Sequence, residues 1–340
     1  MRYVKKFLSA ALCLLLLIAS SNAAHAQLQE DTLVVIDTAL NSDQADIAGN
    51  IKYEVCILDW SACPNGQSFM EGKGAAYLSP RFMSDNGFNH GSQMVSAALK
   101  TNPNLQIIFI RIVGSSSSGA RLNVSPYVVA KALKWVSDNR DRFRINAVAM
   151  SQGHHNLSSL TRYCPTESTV ESMIDLLLQK GVPFFVPAGN SRDYERLDWP
   201  ACYSSTLAIG ALDANRQIAA YGNYDPKLLD FYELGELKIK DFNGIERTAT
   251  GTSVSAQVAA AKWMRILELN PNLTFDQRME FLTKSTLVVT NSRVKNGYAL
   301  PAVIEDPEVR IELVNELDEL KSQLEDLRIL ISTLLSLLIK

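Results

Sequence analysis

The sequence predicts an α/β fold with a mostly parallel central sheet. Short continuous apolar runs of strand type alternate along the chain with longer segments whose apolar residues recur at helical spacing. At 340 residues and 47% hydrophobic, the chain can bury one large core or two modest ones. Its polar residues of greatest chemical capacity fall where predicted strands end and predicted helices begin, the edge at which open α/β sheets form clefts. A net charge of −3 gives no reason to expect nucleic-acid affinity, and no internal repeat is present.

Taken in order, the first strand is Leu33 to Asp37, an unbroken apolar run closed by an acid, with Thr-Ala-Leu-Asn following as a turn. The apolar pattern after His90 predicts a helix over Gly91 to Lys100. A second strand spans Gln106 to Val113. The sequence GSSSSG (Gly114 to Gly119) then reads as a flexible polar loop at a cleft rim, not a linker between domains. Helical periodicity returns over Ser125 to Asn139, Ser168 to Lys180, Ser253 to Leu269 and Thr274 to Thr283. Strands are expected at Asn146 to Ser151, Val182 to Ala188 and Thr206 to Ala211.

Four separated segments converge on one chemistry. Gly251-Thr252-Ser253 opens a small-residue run, GTSVSAQVAAA; alone, such a serine is an ordinary helix N-cap. Asp37 ends a buried strand, His90 stands in FNHGSQ at a helix start, and Asn190 follows Gly189 in VPFFVPAGNS. The chain has four histidines, and with His25 in a segment expected to be removed, a histidine base must be His90 or one of the pair His154 and His155.

The order Asp, His, Asn, Ser in these contexts resembles the subtilisin-like serine proteases, the subtilases, from about Asp31 to about Leu300. The resemblance implies a subtilisin-like three-layer α/β fold. It implies that Ser253 is the nucleophile, that His90 is the general base and then acid, and that Asp37 orients and stabilises the imidazolium. Asn190 matches the family's oxyanion donor, with the Ser253 backbone N–H as the second. Val148 to Gly153 resembles the family's substrate-pairing edge, which makes Ser151, Gly153 and Gly189 expected substrate-binding residues. His154 and His155 have no counterpart in the triad pattern and read as loop residues.

Three positions depart from the family pattern. Ala39 replaces the usual Gly, Gln93 the usual second His, and Gln257 the usual Pro. None of them moves a proton or donates to an oxyanion. A positive φ at Ala39 would cost about 1 kcal/mol or more.

The termini add organisation. Arg2, Lys5 and Lys6, the apolar stretch Phe7 to Ser20 and Ala24-His25-Ala26 read as an export signal over 1–26, so the expected location is secreted or periplasmic. Cys56, Cys63, Cys164 and Cys202 then remain, an even number in a disulfide-permitting compartment; of three pairings, Cys56 with Cys63 and Cys164 with Cys202 are expected. No long pro-segment is expected between the signal and the first strand. The expected catalytic domain is 27–306. Over 307–340, Leu313, Leu317, Leu320, Leu324, Leu327, Ile331, Leu334 and Leu338 alternate steps of four and three, a heptad seam that predicts a C-terminal coiled-coil helix and a homo-oligomer. Leu335 and Leu337, off the seam, suggest a thicker bundle or contact with a membrane surface.

The functional expectation is an exported serine endopeptidase acting on peptide or protein substrates. The alternative is a catalytically silent protein holding peptides in the same cleft. An esterase is disfavoured by the residue order and the lack of a G-x-S-x-G elbow. No cofactor is expected, no spacing suggests a zinc site, and none locates a calcium loop.

Overall fold

The computed structural model describes residues 30–79, 82–83, 87–154, 164, 168–283, 302–303, 316 and 319–331. The expected export signal, His155 and both ends of the heptad seam lie outside these residues.

Among the described residues the sheet has nine strands: β1 (Thr32–Asp37), β2 (Ile51–Ile57), β3 (Phe69–Glu71), β4 (Gln106–Arg111), β5 (Ile145–Met150), β6 (Phe184–Pro187), β7 (Leu207–Leu212), β8 (Phe231–Leu234) and β11 (Ala302–Val303). Their spatial order is β11-β8-β7-β6-β5-β1-β4-β2-β3. All neighbours are parallel except the edge pair β2 and β3. β9 (Glu236–Lys240) and β10 (Glu246–Thr250) form a separate antiparallel ribbon.

β1 is paired on both edges, with β4 and β5, and packed on both faces by helices, so every residue is buried, which is why it reads as an unbroken apolar run. Its side chains alternate between two cores. Leu33 and Val35 join residues of α1 (His90–Thr101) and α4 (Thr252–Leu269) on one face. Val34 and Ile36 join α2 (Pro126–Phe143) and α3 (Thr169–Gln179) on the other. The result is the three-layer α/β arrangement that the sequence predicts.

Local chemistry sets the helix bounds. Ser125 caps α2 by accepting from the Val128 N–H, with Pro126 at the first helical position, and Ser168 caps α3 by accepting from Glu171. The buried alanines 256, 259, 260 and 261 let α4 lie close against the sheet. At its far end the fully buried Trp263 donates its indole N–H to the Asn146 carbonyl at 3.1 Å. α5 (Phe275–Thr283) follows.

The predicted helices and the five predicted strands form within a few residues of their expected bounds. The strands β2, β3, β8 and β11 and the ribbon were not legible, because they are short edge pieces or carry mixed polar sequence such as Ile51-Lys52-Tyr53-Glu54. GSSSSG is a compact hairpin turn, tied by Ser116 N–H to Ala120 O at 2.8 Å and Leu122 N–H to Gly114 O at 2.9 Å. Ala39 is absent from the non-glycine residues with positive φ, so the strain considered for it does not arise. Both expected cysteine pairs are joined, with Cα separations of 5.9 Å for Cys56 and Cys63 and 5.0 Å for Cys164 and Cys202.

Residues 319–331 are helical (α6) and exposed along their length, including the seam residues Leu320, Leu324, Leu327 and Ile331. Among the described residues no helix is long and apolar enough to cross a membrane.

Candidate active site

Parallel pairing brings the carboxyl ends of β1, β5 and β6 to one edge of the sheet, and α1 and α4 begin at the same edge. Asp37 closes β1 and is fully buried. Its Oδ1 accepts from the Thr38 backbone N–H at 2.7 Å, from His90 Nδ1 at 2.8 Å and from Gln152 Nε2 at 2.8 Å. A carboxylate only accepts, so His90 carries its proton on Nδ1 and the neutral ring leaves Nε2 as the basic nitrogen. The His90 side chain is 26% exposed, so the ring reaches solvent.

The close approach of α1 to β1 depends on two small devices. A Cβ at Gly91 would collide with the Ala39 carbonyl oxygen and lie 2.6 Å from the Phe109 ring. Thr38 donates its hydroxyl to the Phe88 carbonyl at 2.7 Å and receives the Gly91 N–H at 2.9 Å, tying the strand end to the helix start.

Ser253 is the second residue of α4, and the glycine before that helix adopts φ +145°, open in practice only to glycine. Asn190 Oδ1 accepts both the Thr252 N–H and the Thr252 hydroxyl at 3.0 Å. An N–H can only donate, so the amide oxygen must face Thr252 and Nδ2 turns the other way as a donor. The Ser253 N–H lies within the first turn, where backbone donors have no intrahelical acceptor.

Ser151 donates its hydroxyl to the Ser253 carbonyl at 3.0 Å and receives Gln257 Nε2 at 3.0 Å. The departure at Gln257 therefore acquires a local role, pinning the segment after β5 to α4. Gly153 is packed so that a Cβ would strike the Trp199 carbonyl. Gly189, at φ +112°, would drive a Cβ into Asn223 and Asp198. His154 pairs with Trp199 by two backbone bonds of 3.1 and 3.2 Å, and the two rings stack at 5.0 Å. This explains a histidine outside the proton-transfer pattern.

Sequence reasoning missed Thr38, Gln152 and Arg121. Arg121 donates to the Gln152 side-chain oxygen. Nothing in the sequence marks that link, because the two residues sit 31 positions apart and in loops. Among the described residues no cluster of three or more His, Cys, Asp or Glu is arranged to hold a metal ion.

The fold and the site together define an α/β protein whose sheet edge gathers a carboxylate–imidazole pair, a serine at a helix start and an amide donor. The family described as the subtilase family matches residues 30–304, and the chain belongs to it. Alkaline elastase YaB from Bacillus sp. (strain YaB) is 24% identical over 219 residues, covering 59% of this chain and 53% of the relative. Subtilisin Savinase from Lederbergia lenta is 24% identical over 181 residues, 50% of this chain and 60% of the relative. Subtilisin DY from Bacillus licheniformis is 23% identical, covering 60% of this chain and 72% of the relative. The chain spans about half the length of alkaline elastase YaB and 42% of an alkaline protease from Alkalihalobacillus alcalophilus. Among solved structures, the S41 psychrophilic protease superposes with a TM-score of 0.61 at 17% identity, covering 83% of this chain and 94% of that one. A cold-adapted subtilisin-like serine proteinase gives 0.57 at 20% identity, covering 81% and 88%. These two likenesses concern the fold.

Proposed function

We propose that the protein is an exported serine endopeptidase in which His90, oriented by Asp37, takes the proton of Ser253 as its hydroxyl attacks a peptide carbonyl. The observation that carries this reading is the 2.8 Å contact of His90 Nδ1 with the buried Asp37, at the sheet edge where α4 begins. A neutral serine hydroxyl is a weak nucleophile and needs a base whose tautomer is fixed. The tetrahedral intermediate places charge on the former carbonyl oxygen, where Asn190 Nδ2 and the Ser253 N–H would donate. Collapse expels the amine with the proton held on His90, and water then releases the acyl group by the same steps in reverse order of roles.

The substrate is an extended peptide lying along Ser151 to Gly153 and Gly189. Support comes from the position of Ser151 to Gly153 just beyond the carboxyl end of β5, where Gly153 and His154 are exposed. Residues 27–306 form the catalytic unit and 307–340 an assembly segment. The exposed seam on α6 supports self-association through that segment, and the apolar residues beyond it support contact with a membrane surface. Leu324→Glu should lower the sedimentation coefficient of the full chain; an unchanged value removes the assembly role.

The direct test is digestion of an unfolded protein substrate, with fragments mapped by mass spectrometry and Ser253→Ala run in parallel. Cleavage at internal bonds by the wild type alone is expected. Fragments identical for both proteins would overturn the reading, and retained peptide binding without cleavage would leave a peptide-holding protein.

A further inference from the structure

Gln152 stands between the two expected substrate-binding residues Ser151 and Gly153, yet its side chain points inward and the residue is 2% exposed. Its amide nitrogen reaches Asp37 Oδ1 at 2.8 Å and lies 3.3 Å from His90 Nδ1. Nδ1 carries a proton, so those two nitrogens are both donors and share one acceptor instead of bonding each other.

The other end of the amide is equally constrained. The Gln152 oxygen accepts from the guanidinium of Arg121, a residue exposed on the returning arm of the GSSSSG hairpin, where it pairs with Ser115. Arginine only donates and a carboxylate only accepts, so the amide between them has one favourable orientation. Turned over, it would set oxygen against Asp37 and N–H against Arg121, two repulsive contacts in place of two hydrogen bonds.

We infer that Gln152 is a positioning residue of the Asp37–His90 pair, with Arg121 fixing the orientation of its amide. The inference rests on the triad assignment above. Three donors converge on Oδ1, whereas Asp37 Oδ2 is buried without a hydrogen-bond partner among the described residues. The Thr38 N–H comes from the adjacent residue and His90 is the group to be oriented. Gln152 is therefore the donor brought from another strand end, and it stops the carboxylate from turning Oδ1 away from the imidazole.

The test uses the full chain with labelled histidine, reading the His90 Nδ1 proton by NMR beside peptide turnover, with the resonance assigned by its loss in His90→Ala. In Gln152→Leu the resonance should shift and broaden, and kcat should fall about tenfold with KM within about twofold. Gln152→Glu, similar in size but presenting an acceptor to Asp37, should fail to restore kcat. Arg121→Ala changes an exposed position and should move both readouts the same way by a smaller amount, about threefold in kcat. Resonance and kcat in Gln152→Leu equal to wild type would overturn the inference; if that variant does not fold, equality in Arg121→Ala does so. A wild type without turnover sinks the protease reading instead, while the resonance still decides whether Gln152 holds the pair.

Discussion

Two carboxylates on the same sheet meet different fates. Asp37, at the carboxyl end of β1, is fully buried and collects three donors on one oxygen. Asp230, just before β8, is partly buried and accepts one hydrogen bond, from the Ala208 N–H at 2.8 Å. Loss of solvation pushes the Asp230 carboxyl up to about 7, against the smaller opposing pull of that N–H. The difference lies in the geometry of the two ends. At the carboxyl edge a turn, a helix start and a neighbouring strand end each deliver a donor, whereas the amino end of β8 offers one from the adjacent strand. An acid is held in one orientation where the fold supplies several donors, as it does around Asp37.

The comparison is broken most strongly by neutralising each acid in turn. Asp37→Asn should lower kcat about 10⁴-fold by favouring the wrong imidazole tautomer, while Asp230→Asn leaves kcat within about twofold, as steady-state turnover of a peptide amide will measure. Removing the amide donor proposed for the oxyanion comes next. Asn190→Ala should cost about 10²- to 10³-fold in kcat with little change in KM. Gly91→Ala attacks the packing that brings His90 to Asp37. The added methyl meets the Ala39 carbonyl and the Phe109 ring, and denaturant unfolding should show a loss of about 2–3 kcal/mol.

The smallest effect sharpens the Asp230 side. Its folded value near 7 lies above the ordinary 3.8, so the unfolded chain releases this proton first as pH rises. The stability contribution is therefore complete below about pH 4 and is lost as pH climbs through 7. Urea midpoints at pH 4.5 and 7.5 should fall more in wild type than in Asp230→Asn, which keeps an acceptor for Ala208 without a charge to bury. Equal falls would mean that Asp230 does not control that window.

Much of this architecture was legible in the sequence because the central strands are buried on both faces and the helices carry one apolar stripe. Leu33 to Asp37 and Val182 to Ala188 could hardly be anything else. Edge strands such as Phe69–Glu71 are short and half exposed, so no periodicity marks them. The candidate site was legible where its chemistry needs a residue type in a fixed local setting: Asp37 at a strand end, His90 before Gly91, Ser253 after Gly251. Gln152 and Arg121 were not, since their pairing depends on how two loops meet in space. Thr38 was visible only as a turn residue, although its hydroxyl joins two elements 50 positions apart.

The most direct measurement treats the purified protein with a fluorophosphonate probe and maps the adduct by mass spectrometry, beside His90→Ala and Asp37→Asn variants that retain wild-type circular dichroism. A single adduct on Ser253, fast in wild type and slowed strongly in both variants, is the expected result. A folded wild type that takes no label, or labels at a serine indifferent to His90, would contradict the assignment of this sheet edge as a proteolytic centre.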